Sequence, residues 1–180
     1  MTGSLRATFP AVTLVVGGAR SGKSTFAEAL VNSTARPRRY IATAEAWDDE
    51  MRDRIARHVA DRGPGWTTVE APLDLAEALA DARTDEVVLV DCATLWLTNH
   101  LLADHDLAGE TATLIASLLS CPAPVVVVSN EVGWGIVPDN ALARRFRDAQ
   151  GRLNQQLAAT ADLAVTVIAG LPLVLKGRLP

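Results

Sequence analysis

The sequence predicts an α/β fold in which a mostly parallel sheet is covered by helices on both faces. Three observations carry this. Short β-branched runs recur at residues 11–16, 40–42, 86–91, 124–129 and 163–169, and all but the second are too apolar for half-exposed strands. Between them lie helix-compatible stretches at 23–32, 48–61, 73–82, 108–120 and 141–161, the alternation expected of strands joined by crossover helices. A chain of 180 residues with 49% hydrophobic and 21% charged side chains is large and apolar enough to bury one proper core. No stretch reads as an inter-domain linker, so residues 12–180 are expected to form one domain, and residues 1–11 an N-terminal extension with no assigned function.

The first strand leads into GGARSGKS at residues 17–24 and then into the first helical stretch. Strand, glycine loop and helix in that order make a nucleotide phosphate site. Gly17 and Gly22 permit backbone geometry that side chains would block. The amides of Gly17, Gly18, Ala19, Arg20, Ser21 and Gly22 can then turn inward around a phosphate at the helix N-terminus. Lys23 adds a point charge toward the outer phosphates, and the Ser24 hydroxyl is placed to coordinate Mg²⁺ on the same nucleotide. The expected fold is therefore a single-domain P-loop fold of RecA-like type, with ligands at the strand C-terminal ends. Later in the chain, Gly170, Leu171 and Pro172 read as a turn before an edge strand at 173–176.

The formal net charge of −4 offers no overall attraction to nucleic acid or an anionic membrane. Cys92 and Cys121 lack CxxC spacing, which fits reduced, buried thiols better than a disulfide framework or a zinc site. Arg6 followed by AVTLVV imitates a secretory signal, but cleavage there would remove the strand that carries the glycine loop. No apolar run approaches the roughly 20 residues of a membrane helix. The expected compartment is the cytoplasm.

Asp91 ends the run VVLVD, where a carboxylate at a strand C-terminus can hold Mg²⁺ or its water shell beside the phosphates. An aspartate there also serves simply to turn the chain. His58 borders a helical stripe of Met51, Ile55 and Val59, a place where an imidazole either attacks phosphorus or merely packs. His100 and His105 flank a loop around Ala103 and Asp104. Their spacing suits a metal only with a third ligand that the sequence does not identify, so both are read as structural or exposed. SNEVGWGIVP at 129–138 should be a turned loop at the active edge, suited to substrate gating. In it, Asn130 and Glu131 either contact a ligand or end the strand by local hydrogen bonds. Trp134 either covers a flat ligand or packs on a neighbouring subunit. Arg144, Arg145, Arg147 and Arg152 decorate a helix whose buried stripe is Leu142, Phe146, Ala149, Leu153 and Leu157. Asp148 precedes Arg152 by four residues and balances some of that charge, while some of these arginines remain candidates for phosphate binding.

With these pieces in place, the sequence resembles the bifunctional adenosylcobinamide kinase/adenosylcobinamide-phosphate guanylyltransferase family of cobalamin biosynthesis. Four segments carry the resemblance between about Val12 and Lys176: GGARSGKS, YIATAEAWDDEM from Tyr40, RIARH with a following W-x-T-x-E ending at Glu70, and SNEVGWGIVPDNALARRFRDAQGRLNQ from Ser129. The resemblance implies phosphorylation of the corrinoid's aminopropanol hydroxyl by a nucleoside triphosphate, ATP or GTP. Transfer of GMP from GTP onto that phosphate would follow, through a guanylylated histidine. The family's histidine follows R-I-x-x, the position of His58. Nucleotide contacts would fall on residues 17–24, on Ala42, Thr43 and Ala44, on Val59, Ala60, Asp61 and Arg62, and on Glu70 and Asp91. Glu70 would accept from guanine N1–H and its amino group together. Some members carry two adjacent histidines, whereas here the first is Arg57. A homotrimer is also implied. A single-activity small-molecule kinase and a nucleotide-gated binding module are the competing readings.

Overall fold

The computed structural model describes residues 9–44 and 63–180. Its elements run β1 Val12–Gly17, α1 Lys23–Asn32, β2 Arg38–Ala42, β3 Trp66–Glu70, α2 Leu75–Ala80, β4 Val87–Asp91, α3 Ala93–Leu102, α4 Leu107–Ser120, β5 Val125–Asn130, α5 Ala141–Thr160, β6 Leu163–Ile168 and β7 Leu171–Lys176. Valine-rich strands such as VVLVD and VVVVSN have no polar alternation to offer solvent, so they sit mid-sheet and are buried on both faces. The order across the sheet is β3-β2-β4-β5-β1-β6-β7, parallel except for β7, which runs antiparallel to β6.

Two apolar layers flank the sheet, as expected. On one face Val12, Leu14, Val88, Val90, Val125 and Val127 pack against Leu79 of α2, Trp96 and Leu97 of α3, Leu114 and Leu118 of α4, and Leu153 and Leu157 of α5. On the other, Val15, Leu89, Val126, Val128 and Val165 pack against Ala27, Leu30 and Val31 of α1. Each fully buried leucine contributes about 1.5–3 kcal/mol of transfer free energy.

Three features depart from the sequence expectation. Helix α3, absent from it, is buried over most of its length, polar Thr94, Asn99 and His100 along with Trp96, Leu97 and Leu101, so no amphipathic stripe betrays it. Strand β3, also absent, is a partly exposed edge strand rich in threonine. The final turn is Ala169–Gly170 (φ 52° and 78°), a two-residue hairpin loop, which places Leu171 and Pro172 inside β7 rather than in the turn. Proline is tolerated there because β7 is the sheet edge. The helix expected at 48–61 lies outside the described residues.

Candidate active site

Gly17 ends β1 with its backbone so close to β6 that a Cβ would stand 2.6 Å from the Val167 carbonyl oxygen. Gly22 has φ 92°, a left-handed geometry that favours glycine, and its neighbour Arg20 reaches φ 56°. The Ser21 carbonyl accepts from Gly170 N at 2.8 Å, which anchors the loop to the β6–β7 turn. Phe26 N–H donates to Gly22 O at 3.0 Å, so intrahelical bonding starts there and the amides of residues 23–25 are left at the positive end of the helix dipole. Gly22 provides no side-chain cap, and the first turn carries no acidic residue to repel an anion. Lys23 Nζ lies over the loop, donating to Gly18 O at 3.2 Å. This is an anion cradle.

One strand, β5, separates β1 from β4, whose last residue is Asp91. Gly17 is level with Asn130, and Asp91 with Val128, so loop and carboxylate share the C-terminal edge of the sheet. Cys92 reports on both charges. Its thiol is pushed up to about 11, chiefly by burial and further by the Asp91 carboxylate, while Lys23 pulls it the other way. The thiol stays protonated at neutral pH and is no nucleophile.

The tip of β2 is locked to β4: Thr43 Oγ1 donates to Cys92 O at 2.7 Å and accepts from Cys92 N at 2.8 Å, and Asn99 Nδ2 donates to Thr43 O at 2.9 Å. Ala42 O accepts from Ala71 N at 2.8 Å, beyond the end of β3. Glu70 is exposed and level with Ala42, at the same sheet edge as Asp91. His58, Val59, Ala60, Asp61 and Arg62 lie outside the described residues.

The sequence reading passed over a buried polar knot beneath this edge. Ser129 Oγ donates to Asn154 Oδ1 at 2.6 Å, Gln150 Nε2 donates to both Ser129 Oγ and Asn154 Oδ1 at 3.0 Å, and Asn154 Nδ2 donates to Asn130 O at 3.0 Å. Asn130 N–H is held by Thr94 Oγ1 at 2.8 Å, while Asn130 Oδ1 is buried without a hydrogen-bond partner among the described residues. The only signal was Gln150 and Asn154 four apart on an otherwise apolar face. Asn154→Leu is expected to lower stability by about 1–3 kcal/mol, because it strips Ser129, Gln150 and Asn130 of partners in a buried place. Urea unfolding at constant m-value checks this.

Glu131 ends the strand locally: its N–H donates to Gly17 O at 3.0 Å and its Oε1 accepts from Gly133 N at 2.8 Å. Beyond it, Trp134 is 82% exposed and Ile136 97% exposed. Trp134 and Glu131 line a cavity of 400 Å³ with residues 17–21 and 166–169, directly beside the glycine loop. Three of the four arginines of α5 are engaged elsewhere: Arg144 on the carbonyls of Pro138 and Asp139, Arg145 on Asp104, and Arg147 on Asp148, while Arg152 lines a separate cavity with His105. Asp148 thus faces Arg147 rather than Arg152, and Leu142, expected in the buried stripe, is exposed at the helix start. Cys92 and Cys121 are free thiols, the first buried and the second half-buried. Among the described residues no helix is long and apolar enough to cross a membrane.

Comparison with known proteins follows the same lines. The model of a family described as cobinamide kinase / cobinamide phosphate guanyltransferase matches residues 13–175. A bifunctional adenosylcobalamin biosynthesis protein of Pseudomonas aeruginosa, CobP, is 47% identical over 92% of this chain and 97% of its own. Another of the same description from Escherichia coli, CobU, is 45% identical over 91% of this chain and 98% of its own. Among solved structures, the RadB recombinase superposes with a TM-score of 0.53 at 16% identity, covering 96% of this chain and 84% of that one. That likeness shows the RecA-like P-loop fold.

Proposed function

The chain belongs to the cobinamide kinase / cobinamide phosphate guanyltransferase family, and from that premise we propose that it phosphorylates adenosylcobinamide and then transfers GMP from GTP onto the product. The observation that supports this most directly is the anion cradle at residues 17–24 on the same sheet edge as Asp91. The amides of the loop and of the first turn of α1 hold the triphosphate, and Lys23 neutralises its outer phosphates. In the first reaction the corrinoid hydroxyl oxygen attacks the γ-phosphorus and gives its proton to water, the bond from the γ-phosphorus to the β-phosphate oxygen breaks, and the nucleoside diphosphate leaves. In the second, a neutral ring nitrogen of His58 attacks the α-phosphorus of GTP and expels pyrophosphate. The phosphate oxygen of the corrinoid then displaces the histidine.

The Ser24 hydroxyl and the Asp91 carboxylate are hard oxygen donors at this edge and suit Mg²⁺. When bound, the ion supplies charge neutralisation to the phosphates; the protein's own part is to hold those two oxygens beside the loop. Neighbouring strands lie about 4.8 Å apart, so Glu70 on β3 stands four strands, roughly 19 Å, from β1. A guanine at Glu70 therefore lies along the sheet edge from the loop, past Ala42, Thr43 and Ala44. Thr43 is locked to Cys92, so its contribution is to hold the tip of β2 rigid. The cavity beside Trp134 is the proposed place for the corrinoid's aminopropanol arm, on the open side of the glycine loop. The exposed Leu171, Leu173 and Leu175 of β7 support contact between copies in the homotrimer proposed here. Two free thiols and nucleotide substrates support a cytoplasmic location.

Product analysis tests the whole reading: adenosylcobinamide should make triphosphate consumption stoichiometric with phosphorylated corrinoid, and slow hydrolysis unaffected by the corrinoid would reject it. Glu70→Gln tests the base assignment. Loss of the charged acceptor should cut the preference for GTP over ATP in nucleotidyl transfer by about 10- to 100-fold. Unchanged discrimination in competition assays would remove Glu70 from the base site.

A further inference from the structure

The third ligand that the sequence did not identify for His100 and His105 is supplied by the fold. His100 stands in the last turn of α3, and His105 in the loop that follows. Glu110 stands in the first turn of α4. The chain reverses in the loop at 103–106, where Asp104 has φ 55°, and Asp106 caps α4 by accepting from Ala108 N at 3.1 Å, so that Glu110 in the first turn of α4 meets the end of α3. The Nδ1 atoms of His100 and His105 are 2.9 Å apart, Glu110 Oε2 is 3.8 Å from His100 Nδ1, and all three donor atoms lie within 4.8 Å of one another. Ligands bound at 2.0–2.2 Å in a tetrahedral zinc site stand roughly 3.3 Å apart, so the three atoms already bracket the required spacing.

We propose that His100, His105 and Glu110 bind one Zn²⁺ ion at the corner between α3 and α4.

The surroundings of His100 favour a ligand role. Its Nε2 is 3.3 Å from the Leu73 carbonyl oxygen, which can only accept, so the ring carries its proton on Nε2 and aims the Nδ1 lone pair at His105. A backbone carbonyl behind a ligating histidine is the usual arrangement for fixing tautomer and ring orientation. The same carbonyl accepts from Trp96 Nε1 at 3.1 Å, and the Trp96 ring packs against His100 with centroids 4.6 Å apart, so the imidazole has little freedom to turn away. In the metal-free pair, one proton bridges the two Nδ1 atoms. The ion takes its place, and that proton moves to His105 Nε2. Two imidazoles and a carboxylate form a borderline donor set that suits zinc better than Mg²⁺ or Ca²⁺ and leaves a fourth position for water. His105 also lines a cavity of 280 Å³ with Asp106, Thr111 and Gln156. The bound ion staples the end of α3 to the start of α4.

The test uses the full chain, stripped with chelator, dialysed against Zn²⁺ with excess Mg²⁺, and assayed for zinc per chain by mass spectrometry; Co²⁺ loading reports the geometry. Wild type should hold one tightly bound equivalent and show the visible spectrum of tetrahedral cobalt. His105→Ala should lose both signals. Glu110→Gln, at a partly exposed position where folding is not at stake, should weaken zinc by about tenfold or more and alter the cobalt spectrum. Melting temperature should rise with Zn²⁺ in wild type and not in His105→Ala. Wild type that holds no zinc, or zinc retained equally by wild type and Glu110→Gln, would overturn the proposal even if His105→Ala failed to fold.

Discussion

His58→Ala protein is expected to form no adenosylcobinamide-GDP, with guanylyl transfer reduced by about 10³-fold or more. The reason is the chemistry of the step. Direct displacement on the α-phosphorus would bring the corrinoid phosphate against the whole triphosphate charge, whereas a neutral imidazole attacks first and lets pyrophosphate leave, so the corrinoid phosphate then meets only a single phosphoryl charge on a protonated ring. The P–N bond it forms becomes a good donor once the ring's other nitrogen is protonated, because the histidine then leaves uncharged. Alanine offers no lone pair, and His58→Asn, which keeps size and polarity, offers none of comparable nucleophilicity. Only one histidine is available at this point, since its neighbour is Arg57. Incubation with α-labelled GTP should leave acid-labile, base-stable label on wild type and none on either variant. A fully labelled variant would move the nucleophile elsewhere.

How much of this was legible depends on what each residue's environment demands. Valine runs buried on both faces admit one reading, and GGARSGKS states its geometry through Gly17, which is too close to Val167 for a side chain, and Gly22, with its positive φ. Helix α3 escaped because Trp96, Leu97 and Leu101 are buried along with Thr94, Asn99 and His100, so apolar and polar positions do not segregate. Strand β3 escaped because threonines at a sheet edge look like loop. Gln150 and Asn154 were not singled out, because their purpose appears only when β5 brings Ser129 and Asn130 against them. Glu110 likewise gained meaning only once the turn between α3 and α4 brought it to His100. The assignment of His58 as nucleophile rests on family likeness alone: at the border of the Met51, Ile55 and Val59 stripe, a histidine more often packs than reacts.

Lys23→Ala is expected to lower both phosphoryl and guanylyl transfer by about 10²- to 10³-fold, the usual cost of deleting one preorganised donor to developing phosphate charge. Folding should scarcely notice, because among the described residues the ammonium's hydrogen bond is to an exposed loop carbonyl, Gly18 O. An unchanged melting temperature beside lost activity therefore separates chemistry from stability. Lys23→Arg should rescue poorly: the loop closes tightly, with Ser21 N on Gly18 O at 3.3 Å and Gly170 N on Ser21 O at 2.8 Å, leaving room for a compact point charge rather than a planar fork. Assaying the two reactions separately decides how one small sheet edge serves both. If the triphosphate rests on the loop in each, with His58 reaching the α-phosphorus and the corrinoid the γ-phosphorus, the two rates fall together. A variant that lost phosphorylation yet still labelled His58 at the wild-type rate would instead place the GTP of the second reaction away from the loop, toward Glu70 at the far side of the sheet.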